Sequence, residues 1–209
     1  VSSHFAMTNL RCTQNPTMGE EWRRGWHPEY IAPKKSESDI LVVGAGPAGL
    51  ECARALGQRG YQVTLAERTT QLGGRVTREG EQLPGLREWL RVRDWRVTQL
   101  NKLPNVGIYM DSDLSIPDIA EFGAAHVVMA TGSKWRADGV GRATDRPIPV
   151  DSSVQVLSPD DIMDGVPVKN GPVLVYDDDH YYMGSVIAEK LARQGFEVVI
   201  ATPAAEISA

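Results

Sequence analysis

Apolar and polar positions alternate along the chain in a pattern that predicts strands and helices in turn. The apolar run at residues 40–43 predicts a strand. A helical pattern follows it, and its apolar positions recur on one face at Leu50, Ala53, Leu56 and Gly57. Gly60 ends this helix, and alternation at Tyr61, Val63 and Leu65 predicts a second strand. Strand, helix and strand in this order are typical of a βαβ unit in a parallel sheet.

A longer helical pattern follows at residues 84–103. Its apolar stripe consists of Leu86, Trp89, Leu90, Val97 and Leu100. Arg93 falls within the stripe, so its side chain either reaches out to solvent or pairs with a buried anion or a bound nucleotide. Trp95 is predicted on the opposite face among charged neighbours. It is either a contact for a partner protein or for electron transfer, or a residue that another domain covers.

Three further short elements are predicted before the middle of the chain. Residues 106–110 indicate a strand, and residues 116–122 indicate a helix. His126, to which we assign a structural role, starts an apolar run at 126–133 that predicts a buried strand. The end of this run, Ala130-Thr131-Gly132, is expected at the carboxyl edge of the sheet, where open α/β sheets bind their ligands.

The last part of the chain repeats the opening plan. We predict a strand at 173–176, a helix at 184–194 and a second strand at 196–201. The stretch before it, residues 135–172, is rich in Gly, Pro and Asp and indicates a connection between subdomains. Within that connection, a short helix at 158–163 is predicted, with Ser158 as its N-cap and Asp161 three residues on.

The turn between the first strand and its helix has the sequence G-x-G-x-x-G. In such a turn Gly44 permits a sharp change of direction, Gly46 lets backbone approach a pyrophosphate, and Gly49 lets helix and strand pack closely. Pro47 and Ala48 begin the helix, and the N–H groups of its first turn that have no partner within the helix can bind phosphates. The flanking strand and helix therefore favour adenine-nucleotide binding over a purely structural turn.

Further residues complete the predicted nucleotide site. Glu67 lies about 20 residues beyond the glycines, where an acid accepts hydrogen bonds from ribose hydroxyls, and Arg68 follows it. Gly74 and Arg75 belong to a second glycine turn from which Arg75 can reach a phosphate, although a plain turn is the alternative. Residues 130–132 are predicted to line the remaining side.

The equivalent turn of the second unit, residues 177–184, differs in charge and bulk. It contains Asp177, Asp178 and Asp179 where the first unit has glycines. Their carboxylates repel a pyrophosphate, and their side chains block backbone approach. We predict a nucleotide fold without the nucleotide. A metal site from these aspartates and His180 is disfavoured, because consecutive residues in a turn rarely converge on one ion.

Composition narrows the class of protein. Of the 209 residues, 42% are hydrophobic and 23% charged, which is typical of a globular protein with a substantial core. A net charge of −5 gives no indication of a nucleic acid or an anionic membrane as partner. No apolar run approaches the ~20 residues of a membrane span, and no secretory signal is visible, so we expect a cytoplasmic protein. Cys12 and Cys52 make no disulfide framework, and Cys52 is expected in the core.

We therefore predict an α/β fold in three parts. Residues 1–37 form an extended segment that needs a partner surface to order it. Residues 38–150 form a Rossmann-type FAD/NAD(P)-binding domain, and residues 151–209 form a linker and the start of a second, degenerate NAD-type domain. The chain begins with Val, which indicates a fragment or a processed product.

The opening segment carries a more specific pattern. It contains C-T-Q-N-P at residues 12–16 and G-E-E-W-R-R-G-W-H-P-E at residues 19–29. With the glycine turn and the second unit, this resembles the trimethylamine and dimethylamine dehydrogenase family, iron–sulfur flavoproteins related to old yellow enzyme and to 2,4-dienoyl-CoA reductase. The resemblance covers essentially the whole chain, which matches only the middle-to-late part of such an enzyme.

The resemblance implies a longer parent protein, a homodimer, that oxidises a secondary or tertiary amine. An N-terminal barrel would carry FMN and the amine site, and Cys12 would be the fourth ligand of a 4Fe–4S cluster. ADP would occupy the first glycine turn, and electrons would pass to an electron-transferring flavoprotein. Because the barrel and the other ligands are absent from this chain, the chain alone is expected to lack dehydrogenase activity.

Two alternatives remain open. Enzymes of the 2,4-dienoyl-CoA reductase type use FAD at the first turn and NADPH at the second, which the aspartates at 177–179 disfavour. A non-catalytic structural or docking module would instead have a vestigial nucleotide site, and the face around Trp95 would carry its function.

Overall fold

The structure, a computed structural model, describes residues 12, 14, 15, 18, 19 and 31–207. Its contacts divide the chain into two compact units. The first comprises Val1–Thr77 and Trp89–Gly132, and the second comprises Arg78–Glu88 and Ser133–Ala209. Most of the extended segment predicted at 1–37 lies outside the described residues, and the three-part division of the chain stays a prediction.

The first unit contains a four-stranded parallel sheet with the strand order β3-β2-β1-β4. Its strands are β1 (Asp39–Val43), β2 (Gln62–Ala66), β3 (Val106–Tyr109) and β4 (His126–Met129). In β1, the alternation of side chains places Ile40 and Val42 in one core cluster and Leu41 and Val43 in another. The central strand is therefore covered on both faces, as its unbroken apolar sequence predicts.

Four helices connect and flank these strands or lead into the second unit. They are α1 (Pro47–Arg59), α2 (Arg75–Gln82), α3 (Leu90–Leu100) and α4 (Ile116–Phe122). In α1, proline occupies the first turn and Gly60 ends the helix in the left-handed conformation with φ +96°, as predicted. Helix α4 has the predicted bounds and begins with a capping box in which Ser115 and Asp118 bond each other's backbone N–H.

The helix predicted at 84–103 is shorter in the structure, and it buries a different face from the one predicted. Gly85 adopts φ +75° after Pro84, a short 3-10 helix spans Arg87–Trp89, and α3 starts only at Leu90. The interruption changes the helical phase, so the buried residues of α3 are Val92, Arg96 and Leu100. The predicted stripe was therefore wrong in part, and the buried cation is Arg96 rather than Arg93.

The prediction that strand β4 is buried was wrong. Val127 is 40% exposed and Met129 is 59% exposed, because β4 is an edge strand of the described sheet. Helix α2 was not predicted, since its sequence R-V-T-R-E-G-E-Q is mostly polar. No helix of the described residues is long and apolar enough to cross a membrane.

The second unit contains the predicted second βαβ motif. Strands β5 (Val173–Tyr176) and β6 (Val198–Ala201) pair in parallel, with α6 (Met183–Arg193) between them in sequence. The preceding connection holds the short helix α5 (Pro159–Met163). As predicted, Ser158 caps this helix and forms a capping box with Asp161.

Candidate nucleotide-binding site

The glycine turn lies where the strand order reverses between β1 and its neighbours β2 and β4. The Gly44 N–H donates to the Ala66 carbonyl oxygen at 2.7 Å, and the Ala130 N–H donates to the Val43 carbonyl oxygen at 2.8 Å. Gly44 has φ +101°, and a Cβ there would lie 2.4 Å from the Ala130 oxygen. The turn therefore requires glycine at this position, at the crevice where open α/β sheets bind ligands.

The other two glycines of the motif have different surroundings. A Cβ on Gly49 would lie 1.8 Å from the Gly44 carbonyl oxygen, so close packing of α1 on the turn demands glycine. Gly46 has an ordinary φ of −69°, and no atom lies within 4 Å of where its Cβ would be. The space beside Gly46 is open, as a ligand that approaches the backbone requires.

The start of α1 faces the same turn. Pro47 is its first residue, and the Leu50 N–H donates to the Gly46 carbonyl oxygen at 2.9 Å. The amides of Ala48 and Gly49 belong to the first helical turn, whose N–H groups have no acceptor within the helix. Ala48 is exposed, so this positive end of the helix dipole is open to an anion.

Glu67 is buried at the end of β2 and bonds to the glycine turn. Its Oε2 accepts the Ala45 N–H at 2.8 Å. Its Oε1 accepts the N–H and the hydroxyl of Thr69 at 3.0 and 2.9 Å. A carboxylate has about four acceptor positions, so these three bonds leave capacity for a ribose hydroxyl. Glu67 therefore holds the turn in shape, while its contact with ribose stays a prediction. Arg68, next in sequence, is exposed.

The second glycine turn packs directly on the first. The Gly73 N–H donates to the Ala45 carbonyl oxygen at 2.8 Å. A Cβ on Gly74 would lie 3.1 Å from the Cα of Gly46. The two turns thus meet at Gly46, and Arg75, half-buried, begins α2 directly after them. Arg75 starts a helix, and its contact with a phosphate stays a prediction.

Arg93 lies beside this second turn. Its Nη1 donates to the Thr77 hydroxyl at 3.3 Å, and its Nε donates to the Asp94 carboxylate at 2.8 Å. Its alkyl chain fills the space next to Gly73, where an added Cβ would lie 2.8 Å from Arg93 Cδ. The cation is therefore half-buried near the glycine turns and pairs with a carboxylate of its own helix.

The opposite side of the crevice is formed by the end of β4. Ala130 lies close to two of the glycines: a Cβ added to Gly44 would lie 2.4 Å from the Ala130 oxygen, and one added to Gly49 would lie 3.3 Å from the Ala130 Cβ. Thr131 and Gly132 follow in exposed positions, and Gly132 has φ +77°. The structure thus brings the predicted glycines, Glu67 and residues 130–132 together at one edge of the sheet.

Cys12 is described together with the next residues of its motif. Its Sγ accepts the Gln14 N–H at 3.4 Å. The N–H groups of Asn15 and Gln14 lower the pKa of the Cys12 thiol, which favours the thiolate, the form that binds iron. The described residues contain no group of three or more His, Cys, Asp or Glu side chains able to hold a metal ion. The role of Cys12 as a cluster ligand of a longer parent protein stays a prediction.

The buried cation Arg96 was missed because its charge contradicts an apolar stripe. Its Nε lies 2.9 Å from Glu51 Oε2, an ion pair whose geometry falls short of a hydrogen bond. On the surface beside it, Trp95 is 43% exposed. The guanidinium carbons of Arg54 and Arg96 lie 5.1 and 5.7 Å from the centre of its ring. The outward position of Trp95 was predicted, and its stacking on arginines was not.

In the second unit, the turn after β5 is filled by its own side chains. Asp177 is buried, and its Oδ1 accepts the His180 N–H at 3.0 Å. A Cβ on Gly184 would lie 2.5 Å from Asp177 Cγ, so the carboxyl group lies against the start of α6. Asp178 accepts the N–H of Arg142 and, at 2.9 Å, that of Ala143. These acids serve the internal structure of the turn, at the place where the first unit keeps open space.

The fold and the glycine turn define the class of protein. The family of NAD(P)-binding Rossmann-like domains matches residues 42–112, which contain the glycine turn, α1, β2 and Glu67. The chain is thus an α/β protein with a Rossmann-like nucleotide-binding domain.

Relatives over almost the whole chain define the particular family. Dimethylamine dehydrogenase of Hyphomicrobium sp. (strain x) is 47% identical over 91% of this chain and 27% of its own length. Histamine dehydrogenase from Rhizobium sp. 4-9 has a TM-score of 0.93 and 54% identity, covering 98% of this chain and 32% of that one. An amine oxidase acting on 6-hydroxypseudooxynicotine, from Pseudomonas geniculata N1, has a TM-score of 0.93 and 50% identity, over 99% and 31%. The chain belongs to the dimethylamine dehydrogenase family and spans about a third or less of the length of these relatives.

Proposed function

We propose that this chain is the adenine-nucleotide-binding part of a longer amine dehydrogenase that contains FMN and a 4Fe–4S cluster. The proposal is supported by the likeness to dimethylamine and histamine dehydrogenases along nearly the entire chain. The parent enzyme would oxidise a secondary or tertiary amine at FMN, in a barrel domain outside this chain. Bound FMN would supply the acceptor for the electrons of the amine. The chain alone contributes no catalytic residue.

The nucleotide is ADP, held at the glycine turn. The observation that carries a nucleotide at this turn is the open space at Gly46, set between two glycines that the fold itself requires. The amides of Ala48 and Gly49 would bind the phosphates, and Glu67 would bind the ribose while it holds Ala45. Arg68, Gly74, Arg75 and residues 130–132 would line the remaining sides.

The cluster would receive one ligand from this chain. The Cys12 thiolate, with its N–H donor from Gln14, has the chemistry of an iron–sulfur ligand. A 4Fe–4S cluster passes single electrons, and an electron-transferring flavoprotein is the proposed acceptor. The surface around Trp95, an exposed aromatic ring close to two guanidinium groups, is the candidate contact for that acceptor.

The competing reductase function requires a second nucleotide site after β5. There the Asp177 carboxyl group lies against the start of α6, and Asp178 binds the backbone of the neighbouring loop. A pyrophosphate would have to displace a buried carboxylate from a position in which like charges repel. These contacts support the amine dehydrogenase over an enzyme that uses NAD(P)H.

The test is to identify the nucleotide that the purified chain carries. The protein is denatured, and the released compound is separated by chromatography and characterised by absorbance. We expect ADP without flavin. The purified native chain should also show no amine-dependent dye reduction on its own.

Each other outcome overturns part of the proposal. FAD would favour the reductase function and would require a test of NAD(P)H binding at the second unit. If the protein contains no nucleotide and binds neither ADP nor FAD in titration, the non-catalytic docking module would be the remaining function. Amine-dependent dye reduction by the pure chain would contradict the absence of catalytic residues.

A further inference from the structure

Arg96 is a buried cation that the nucleotide site does not use. Its side chain is only 4% exposed, and it lies between α1 and the segment that carries Cys12. It forms an ion pair with Glu51 of α1 and donates from Nη1 to the Val92 carbonyl oxygen at 2.9 Å. From Nη2 it donates to the Gln14 carbonyl oxygen at 3.4 Å. A buried arginine is costly unless it is paired and hydrogen-bonded, so these contacts define where it can lie.

Gln14 makes a second attachment to the same helix. Helix α3 begins at Leu90, and its N-cap residue Trp89 provides no side-chain bond to the first turn. With its amide oriented so that both ends are satisfied, Gln14 accepts the Val92 N–H at 3.3 Å and donates to the Arg91 carbonyl oxygen at 3.2 Å. The Val92 N–H is one of the donors that a helix leaves unpaired at its start. Gln14 thus caps α3 from a distant part of the chain.

These attachments converge on Cys12. The backbone of Gln14 is held by Arg96, its side chain is held by α3, and its N–H donates to the Cys12 Sγ at 3.4 Å. We propose that Gln14 and Arg96 are positioning residues, which fix Cys12 against α3 so that its sulfur binds the cluster with an N–H donor in place. This inference rests on the proposed function, because it presupposes that Cys12 is a cluster ligand.

The consequence is a defined effect on the reduction potential. Hydrogen bonds to a ligating sulfur disperse its negative charge and favour the reduced, more negative cluster. When the contacts of Gln14 and Arg96 with α3 are lost, the N–H of Gln14 no longer stays aligned with the sulfur, so the reduction potential becomes more negative. The ligand segment also opens more readily, which exposes iron to chelators. Neither effect requires the side chain of Arg96 or of Gln14 to touch the cluster.

The test uses the full-length holoenzyme with the substitutions Gln14→Ala and Arg96→Met. Arg54→Met is the matched control, because Arg54 also pairs with Glu51 and stacks on Trp95 but makes no contact with Gln14 in the described structure. Cluster content is measured as iron and acid-labile sulfide, and the midpoint potential is measured by redox titration with electron paramagnetic resonance. Bound nucleotide is measured in parallel, to show that the domain is folded.

We expect Gln14→Ala and Arg96→Met to shift the midpoint potential to more negative values. Both should lose iron to a chelator roughly tenfold faster than the wild type, since removing a group that orients a metal ligand weakens metal binding by at least about that factor. Arg54→Met should match the wild type. Arg96→Lys keeps the positive charge but loses the planar guanidinium group that donates to the Val92 and Gln14 carbonyl oxygens, so it should behave like Arg96→Met.

The contrary results separate two kinds of failure. If the cluster is present and Gln14→Ala keeps the wild-type potential and iron loss, the positioning role is overturned while the proposed function stands. If Arg96→Lys keeps the wild-type values, the positive charge of residue 96 is sufficient, and the proposed role of the Arg96 hydrogen bonds is overturned. A wild-type enzyme without iron overturns this inference together with the cluster of the proposed function. Because Gln14→Ala removes no buried charge, it decides the question even where Arg96→Met does not fold.

Discussion

At the residue scale, the three glycines of the first turn serve two different purposes. Gly44 and Gly49 have no room for a Cβ, because backbone oxygens would lie 2.4 and 1.8 Å from it. Gly46 has open space at the same position. The motif that sequence analysis treats as one pattern therefore contains two glycines that the fold requires and one, Gly46, that the fold does not require.

This difference predicts opposite behaviour for two alanine substitutions. Gly49→Ala should lower the free energy of unfolding by about 3 kcal/mol or more, because backbone has to move to admit the methyl group. Gly46→Ala should change that free energy by no more than about 1 kcal/mol, since its φ suits alanine. It should weaken ADP binding at least about tenfold, or 1.4 kcal/mol.

The measurements are urea unfolding and ADP titration of the purified chain. Gly46→Ala with unchanged ADP affinity would show that the nucleotide does not approach this turn. A stable Gly49→Ala variant would contradict the close contact of α1 with Gly44.

The two cysteines are expected to differ in reactivity. The N–H groups of Asn15 and Gln14 lower the pKa of the Cys12 thiol, whereas burial and then the charge of Glu51 raise the pKa of the Cys52 thiol. Because the thiolate is the nucleophile, Cys12 should be alkylated first by limiting iodoacetamide near neutral pH. Peptide mass spectrometry gives the two rates, and a faster Cys52 would contradict the hydrogen bonds drawn at Cys12.

At the element scale, the capping box of α5 makes stability depend on pH. Ser158 is buried, and its hydroxyl and N–H both donate to Asp161. These bonds lower the pKa of the Asp161 carboxyl group below its ordinary value of 3.8. The stabilisation is therefore complete above that ordinary value and is lost as the pH falls through the lower pKa of the folded state.

We expect Ser158→Ala to lower the free energy of unfolding by about 1 kcal/mol near neutral pH. Asp161→Asn should destabilise the protein near neutral pH, and its difference from the wild type should shrink below about pH 4 as the native carboxylate is protonated. Urea unfolding across this pH range measures both. Ser158→Thr, which retains the cap, is the control. An Asp161→Asn difference that does not change with pH would argue against the capping bond.

Prediction from sequence succeeded for elements whose local signals and packing agree. Strand β1, helix α1 and the short helices α4 and α5 have an apolar run, a terminal glycine or a capping serine at their ends. For α3 it succeeded only in part: a helix lies within the predicted range, but Pro84 and Gly85 change its start and turn a different face to the core.

The candidate site was predicted to a similar extent. The glycine turn and Glu67 lie together, because the carboxyl ends of neighbouring parallel strands meet at one edge. The contact of Glu67 with Ala45 and Thr69 depends on the packed turn, which no spacing reveals. Arg96 was missed for a related reason, since the burial of a charge follows from tertiary partners rather than from periodicity.

At the scale of the whole molecule, the two compact units differ in what they can bind. The first presents an open glycine turn, and the second closes the equivalent position with Asp177. A ligand that binds only the native state stabilises the part that it contacts, by about 2.7 kcal/mol at a hundredfold excess over its Kd. ADP should therefore stabilise the first unit and leave the turn of the second unchanged.

Hydrogen exchange of the purified chain with and without saturating ADP measures this difference. We expect slower exchange at residues 44–50 and 67–75, and no change at residues 177–184. Saturating NADPH should not slow exchange at residues 177–184 either, because the buried carboxylate of Asp177 opposes a pyrophosphate there. Protection of residues 177–184 by NADPH would mean that Asp177 moves aside on binding, and the reductase function would then account for the chain better than the amine dehydrogenase.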